Sequence, residues 1–306
     1  MLSVIIPSYN EEQNIEKAAR ETVKLLEKEN IEYEIIFVDD GSSDRTYEQI
    51  CACAEKNSRI KGVGFSRNFG KEAAMCAGLD EAGGDCAVIT DCDLQFPVEK
   101  IAEMYRLWLD GYEVVEGIKK NRGKEPFFYR LFAKSFYKLM SSFVGVDMQS
   151  TSDFKLIDRK VIDALTALPE RNTFFRALSF WAGFKSTQIT FEVRERENGK
   201  SKWNYKSLIK YAVTNIISFT TAPLQLITVF GGILLLFMAG MSVQTLIRFM
   251  LGSAAEGFTT VILLLLLIGG SIMMALGIIG GYIAAIYKEV KGRPRYIVSK
   301  RTDAKK

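Results

Sequence analysis

The chain has no histidine among its 306 residues. That absence removes every Ser-His-Asp or Cys-His nucleophile and every imidazole metal ligand. Any chemistry must rest on carboxylates, cations and a metal held by oxygen. Cysteine is sparse, and Cys51, Cys53, Cys76, Cys86 and Cys92 match no CxxC spacing. They read as reduced, mostly buried thiols, not as a zinc or redox pair. Charge of one sign is also lacking: the net value is +4, and much of the basicity flanks apolar segments near the C-terminus. No nucleic-acid partner is expected on that balance. Internal repeats and low-complexity stretches are absent. No signal peptide is expected, because Met1 leads within one residue into LSVIIP, too short and strand-like for an h-region.

Long apolar runs are present, but only late in the chain. Leu224 to Ile247 and Phe258 to Tyr287 carry no acidic or basic residue. Each exceeds the roughly 20 residues needed to cross a bilayer. Gly231–Gly232, Gly269–Gly270 and Gly280–Gly281 could allow close helix approach or act as tolerated kinks. The connecting loop RFMLGSAAEG is nearly uncharged, whereas KEVKGRPRYIVSKRTDAKK is strongly basic. The positive-inside rule then puts that tail and the N-terminal domain in the cytoplasm, on a multi-pass protein of the cytoplasmic membrane. Residues 203–219, WNYKSLIKYAVTNIISF, form an amphipathic stretch that lies in the membrane interface or packs on the soluble domain. The expected organisation is a catalytic-type domain over 1–202, an interfacial helix and linker over 203–222, two spans over 223–287, and a basic tail over 288–306.

Before residue 120 the pattern alternates. LSVIIP, YEIIFV, IKGVGF, CAVIT and EVVEG are short runs rich in β-branched residues, separated by helical stretches such as Lys71 to Ala82. Asn10 with Gln13, and Ser43 or Asp44, stand where helix caps belong. Repeated βα units with apolar strands predict an α/β, mostly parallel sheet covered on both faces. Ligands bind such sheets at the carboxyl ends of the strands. One rim therefore gathers Ser8 to Glu12, Asp39 to Asp44, Ser66 to Lys71 and Asp91 to Gln95.

The stretch DCDLQFP, residues 91 to 97, is the sharpest motif on that rim. Alternation along an extended segment puts Asp91, Asp93 and Gln95 on one side. Hard oxygen ligands suit Mg²⁺ or Mn²⁺, and Mg²⁺ takes one or two protein carboxylates and completes its shell with phosphates. An acidic turn leaving a sheet has the same letters, with Gln95 merely closing it. Basic residues follow the fifth strand, among them Lys119, Lys120, Arg122, Lys124, Arg130 and Lys134, joined by Arg67, Lys71, Arg194, Arg196, Lys200 and Lys202. Such residues suit phosphate, arginine as a bidentate fork and lysine as a point charge, or a plain solvated face.

The ordered set VIIPSYNEEQNI, IFVDDGSSDRT, SRNFGKEAAMCAGL, TDCDLQFP and TSDFKLIDRKVIDAL resembles inverting family 2 glycosyltransferases of the GT-A fold. More narrowly it is similar to the polyprenyl-phosphate glycosyltransferases, the dolichyl-phosphate mannose synthases and bactoprenol glucosyltransferases. The likeness runs from residue 2 to about 225, and the two spans match the bactoprenol-type branch.

That resemblance implies a Rossmann-like domain and transfer of a hexose, glucose from UDP-glucose first, to a polyprenyl (undecaprenyl) phosphate with inversion. It implies that Pro7, Tyr9, Asn10, Glu11, Asp39, Asp40, Lys71 and Asp91 serve the nucleotide, with Asp39 on the uracil or guanine edge. Asp91, Asp93 and Gln95 would hold Mg²⁺ or Mn²⁺, and Asp93 and Asp153 would be the catalytic carboxylates. Lys119, Arg122, Arg130, Arg176, Lys200 and Lys202 would meet phosphate or acceptor. Tyr9 and Asn10 could instead serve capping, and Asp153 could cap a turn. Two departures stand out: Phe96 where many relatives carry an acidic residue or histidine, and Lys119 where many carry arginine. Alternatives to this activity are a processive polysaccharide synthase, for which a QxxRW motif and further spans are missing, and a membrane-anchored nucleotide-sugar-binding protein without turnover. A homo-oligomer is compatible with either activity.

Overall fold

Period-two strands and amphipathic helices alternate from the first residues of the folded chain. The computed structural model of the protein describes residues 1–120, 152–168, 175, 183–192, 216–217, 221–251 and 257–302. In chain order the elements are β1 (Leu2–Ser8), α1 (Ile15–Lys28), β2 (Tyr33–Asp39), α2 (Thr46–Lys56), β3 (Ile60–Phe65) and α3 (Lys71–Glu81). They continue with β4 (Cys86–Ile89), α4 (Glu99–Leu109), β5 (Val114–Lys119), β6 (Lys155–Asp158), α5 (Arg159–Thr166) and β7 (Ser186–Phe191). Two long helices, α6 (Ala222–Met250) and α7 (Phe258–Val290), precede a last strand, β8 (Val298–Arg301).

The chain divides into two compact units, Met1–Trp203 with Pro294–Lys306, and Asn204–Arg293. In the first, an eight-stranded sheet runs in the order β7-β5-β6-β4-β1-β2-β3-β8. The β1–β2, β1–β4, β2–β3 and β5–β7 pairs are parallel. β6 is antiparallel to both β4 and β5, and β8 is antiparallel to β3. Strands β1 and β2 are buried along their whole length, as apolar strands covered on both faces must be. Leu2, Val4 and Ile6 face the core that Ile15, Ala18, Leu26, Ile50, Ile101 and Met104 bring from α1, α2 and α4. Ile5 points the other way, where α3 comes so close that Gly78 has no room for a Cβ. Each large apolar side chain fully buried in this way contributes roughly 1.5–3 kcal/mol.

In the second unit, α6 and α7 match the two expected spans closely. Ala222–Arg248 and Leu267–Val290 are long and apolar enough to cross a membrane. Leu236 and Met273 are more than 70% exposed, which suits a lipid solvent better than water. Of the amphipathic stretch, only residues 216–217 are among those described. All five cysteines are free, and four of them are buried, as expected.

The C-terminal stretch differs from its expectation as a basic tail. Residues 298–301 add an edge strand to the sheet. Tyr296 stacks on Phe65 at 5.0 Å between centroids, and its hydroxyl donates to Asp80 Oδ2 at 2.6 Å. Arg301 pairs with Glu81 at 2.6 Å. The lysines and arginines of VSKR conceal a strand because they lie on an edge, where charge discourages pairing with other chains.

One cross-strand pair in the core is charged. Glu116 on β5 stands opposite Lys155 on β6, the two side chains are fully buried, and Nζ lies 3.1 Å from Oε1. Breaking a buried pair from one side leaves an uncompensated charge and costs about 3–5 kcal/mol, whereas replacing both partners by apolar residues is often neutral. Lys155→Met should therefore lower the urea midpoint of the detergent-solubilised protein, followed by tryptophan fluorescence. A Glu116→Leu, Lys155→Met double variant should regain most of the loss.

Candidate active site

The carboxyl ends of β1, β2, β3 and β4 open onto one rim, and the loops that follow them are tied together by side chains. After β1, Asn10 adopts a left-handed conformation with φ 52°. Its N–H donates to Ser42 Oγ at 2.9 Å, and its Oδ1 accepts from the N–H of Ser43 at 2.9 Å. Glu11 N–H donates to Thr46 Oγ1 at 2.8 Å, and the N–H of Arg45 donates to Glu12 Oε2 at 3.1 Å. These bonds correct the capping expectation. Asn10 stitches two loops, α1 begins only at Ile15, and its N-cap position, Asn14, makes no side-chain cap. Asp44 does serve the first turn of α2, its Oδ1 accepting from Thr46 N–H at 3.0 Å. Pro7 lies buried within β1, while Tyr9 is 38% exposed beside it.

Asp39 and Asp40 part company at the end of β2, although both are almost fully buried. Asp39 Oδ1 accepts the N–H of Ser42 at 3.1 Å. Burial pushes its carboxyl above the ordinary value, and the Ser42 hydrogen bonds offset part of that rise. The Asp40 carboxylate turns to the β3–α3 loop and accepts the N–H groups of Phe69 at 2.7 Å and Gly70 at 2.9 Å. Gly70 can present its N–H there because it takes φ 101°, which a side chain would resist. Asp40 is thus a positioning residue for the start of α3.

Lys71 opens α3, and its ammonium stands between two carboxylates. Nζ lies 2.6 Å from Asp91 Oδ1 and 2.9 Å from Asp153 Oδ2. Burial works against its charge, but Asp153 and Asp91 outweigh burial and hold the ammonium above the ordinary lysine value. The resemblance implies a nucleotide role for Lys71 and a catalytic one for Asp153, and one ion pair joins the two. The link was not visible in sequence because Asp153 reaches the rim through β6, which is antiparallel to β4.

Asp91 and Asp93 follow β4. Asp93 Oδ1 accepts the N–H of Gln95 at 3.1 Å, and Leu94 between them has φ 54°. So the turn reading holds for the backbone of this motif. Among the described residues, no group of three or more His, Cys, Asp or Glu side chains forms a metal cage. A two-carboxylate set, with phosphates for the remaining ligands, is nonetheless what Mg²⁺ ordinarily uses, and Asp91 already attracts a cation, so the donor set fits. Phe96, the departure noted above, belongs to the core. It stacks on Phe154 at 5.1 Å and meets Phe191 edge-on at 5.4 Å, and the Lys119 ammonium lies 5.8 Å from its ring centre. Arg122, Arg130, Arg176, Lys200 and Lys202 lie outside the described residues.

The model of glycosyl transferase family 2 matches residues 3–166. An uncharacterized glycosyltransferase of Synechocystis sp. is 40% identical over 97% of this chain and 94% of its own length. The chain belongs to glycosyl transferase family 2. Within that family, the SfII prophage-derived bactoprenol glucosyl transferase of Shigella flexneri is 34% identical, covering 98% of this chain and 97% of its own. The bactoprenol glucosyl transferase of Shigella phage SfX is 33% identical over 98% of this chain and 99% of its own. Among solved structures, glucosyl-3-phosphoglycerate synthase from Mycobacterium tuberculosis, in complex with Mn²⁺, UDP and phosphoglyceric acid, has a TM-score of 0.53. It is 19% identical and covers 71% of this chain and 76% of that one. The family 2 fold is thus GT-A-like: a mostly parallel sheet with helices on both faces.

The loop that carries Lys71 gives a direct test. Asp40→Ala leaves the Phe69 and Gly70 N–H groups without their carboxylate, which should cost about 1–3 kcal/mol. Thermal unfolding in detergent should show the loss, and Asp40→Asn, which keeps one acceptor, should lose less.

Proposed function

We propose that this family 2 glycosyltransferase moves glucose from a nucleotide sugar, UDP-glucose first among them, to a polyprenyl phosphate with inversion. The observation that carries the reading is the near-full-length similarity to chains named bactoprenol glucosyl transferase, an alignment that includes both apolar helices. The resemblance of the rim motifs to the same family supports the assignment of roles.

In this reading the phosphate oxygen of the lipid attacks the anomeric carbon in line. One C–O bond forms, the C–O bond to the diphosphate breaks, and the nucleoside diphosphate leaves with the electron pair. A phosphate monoester loses its second proton with a pKa near ~6, so near neutral pH the attacking oxygen needs no base. Asp153 therefore acts as a positioning residue, its carboxylate held by Lys71. Lys71 in turn keeps Asp91 and Asp153 at a common separation, so the donor and acceptor sides of the site are set by a single ammonium. Pro7, Tyr9, Glu11 and Asp39 line the nucleoside side, with Asp39 accepting from the base. Asp91 and Asp93, with Gln95 as a third oxygen donor, would hold Mg²⁺ or Mn²⁺. Bound there, the cation would neutralise charge on the departing diphosphate. Lys119 serves the phosphates as a point charge, and α6 and α7 anchor the enzyme in the cytoplasmic membrane with its sheet in the cytoplasm.

Purified protein given undecaprenyl phosphate, Mg²⁺ or Mn²⁺ and a panel of nucleotide sugars should yield a glucosylated lipid, read by mass, most efficiently from UDP-glucose. No glycolipid from any donor would sink the reading. Asp91→Asn should reduce turnover at least ~100-fold, the scale on which loss of transition-state charge stabilisation is felt. Asp153→Asn should lower turnover while the pH–rate profile of the remaining activity keeps its shape. Disappearance of the acidic limb in that variant would make Asp153 a base instead.

A further inference from the structure

Across four strands the sheet aligns one row of residues at the rim: Ser8 pairs with Asp39, Asp39 with Gly64, and Gly64 with Lys300. Paired positions direct their side chains to the same face. Gly64 has none to direct, and the space above it is closed from two sides. A Cβ at Gly64 would lie 2.9 Å from Tyr47 Cε2 and 3.4 Å from Lys300 Cβ. Tyr47 comes from α2 and Lys300 from β8, and the Lys300 ammonium lies 5.1 Å from the centre of the Tyr47 ring. The strand bearing Lys300 is well fixed. Thr302 accepts the N–H of Gly62 at 2.9 Å and returns its own N–H to the Gly62 carbonyl at 3.0 Å. Ser66 N–H donates to the carbonyl of Ile297 at 3.0 Å. Lys300 is exposed, and its positive charge is one of those felt at the Asp39 carboxylate.

We propose that Lys300 reads the nucleobase together with Asp39. The inference rests on the proposed role of Asp39 in accepting from the base. Asp39 offers an acceptor and Lys300 a donor on the same face, with Gly64, covered by the Tyr47 ring, between them. That pair complements a base edge on which a ring N–H adjoins a carbonyl, as in uracil or guanine. With Asp39 at the ring nitrogen and Lys300 at its neighbour, cytosine and adenine mismatch, since they place a lone pair opposite the carboxylate and an amino group opposite the ammonium. The consequence reaches beyond specificity: the donor pocket takes one of its residues from the segment that follows the second apolar helix.

The test uses the full-length protein in detergent and measures the dissociation constants of UDP, GDP, CDP and ADP. Wild type should favour UDP or GDP over the other two. Lys300→Met should weaken that preferred nucleotide about tenfold, the scale of one hydrogen bond from a charged donor, while CDP changes little. Lys300→Arg should keep part of the preference, and all variants should unfold at the wild-type temperature. A Lys300→Met protein with the wild-type ratio of UDP to CDP affinity overturns the proposal. So does an equal loss for all four nucleotides, which would mark a contact to the diphosphate. Asp39→Asn separates the two layers. If it abolishes discrimination and Lys300→Met does not, Asp39 reads the base alone. A wild type indifferent to the base removes both assignments.

Discussion

The ammonium of Lys71 between Asp91 and Asp153 is the contact on which the site depends. Two carboxylates brought to one strand-end rim repel, by about 4 kcal/mol at 4 Å in a medium of intermediate dielectric. Lys71 relieves that repulsion from an unfavourable place, since the first turn of a helix is where the macrodipole opposes a cation. Its position is therefore dictated by its partners. Asp40 makes it possible by turning a buried carboxylate toward the N–H groups of Phe69 and Gly70, immediately ahead of α3. An anion suits a helix N-terminus, so Asp40 stabilises the same helix start that Lys71 burdens. Substitution at either position would be felt at the other, because residues 69 and 70 are all that separates the carboxylate's grip from the lysine.

Beneath the rim the sheet supplies stiffness where the acidic turn needs it. Phe96 lies between Phe154 and Phe191, in three mutual ring contacts. Phe96 belongs to the turn of Asp91 and Asp93, and Phe154 immediately follows Asp153. The aromatic cluster thus joins the two acidic segments from below, as Lys71 joins them from above. An acidic residue or histidine at 96 would not tolerate that environment, where the ring is 4% exposed. Next to this cluster, the buried Glu116–Lys155 pair aligns β5 with β6. A charged pair in that place stabilises little in net terms, but it penalises any register in which either charge would face an apolar neighbour.

Much of this was legible in the letters. The alternation in the first 120 residues, the two apolar helices and the rim that gathers Asp39, Lys71 and Asp91 all follow from local periodicity and the rule for strand ends. What escaped was non-local. Nothing near Lys71 in sequence says that it will meet Asp153, because that contact spans 82 positions and passes through an antiparallel strand. The separate fates of Asp39 and Asp40 were equally hidden, since adjacent residues at a strand end face opposite ways and only the third dimension shows that Asp40 is the one turned to the β3–α3 loop. Asn10 misled for a related reason. Its side chain suits a helix cap, yet the competing partner, Ser43 on the next loop, won it.

The strand β8 shows how far such non-local pairing extends. Residues 298–301 read as a basic tail because charged residues dominate them, yet the neighbouring strand, β3, supplies what they need. Gly62 and Gly64 leave room on one face for Tyr47, Ile50 and Thr302 to close over the backbone. Gly64 C=O accepts the Ser299 hydroxyl at 3.2 Å, and Asp80 and Glu81 of α3 receive Tyr296 and Arg301. The unit that carries the site is consequently discontinuous in sequence: its last strand is made only after both apolar helices have been synthesised. Until then β3 is a bare edge with unpaired backbone groups, the kind of surface that invites pairing with another chain. Completion of the sheet therefore waits on both apolar helices, and a fragment ending before them would lack the strand that covers the edge of β3.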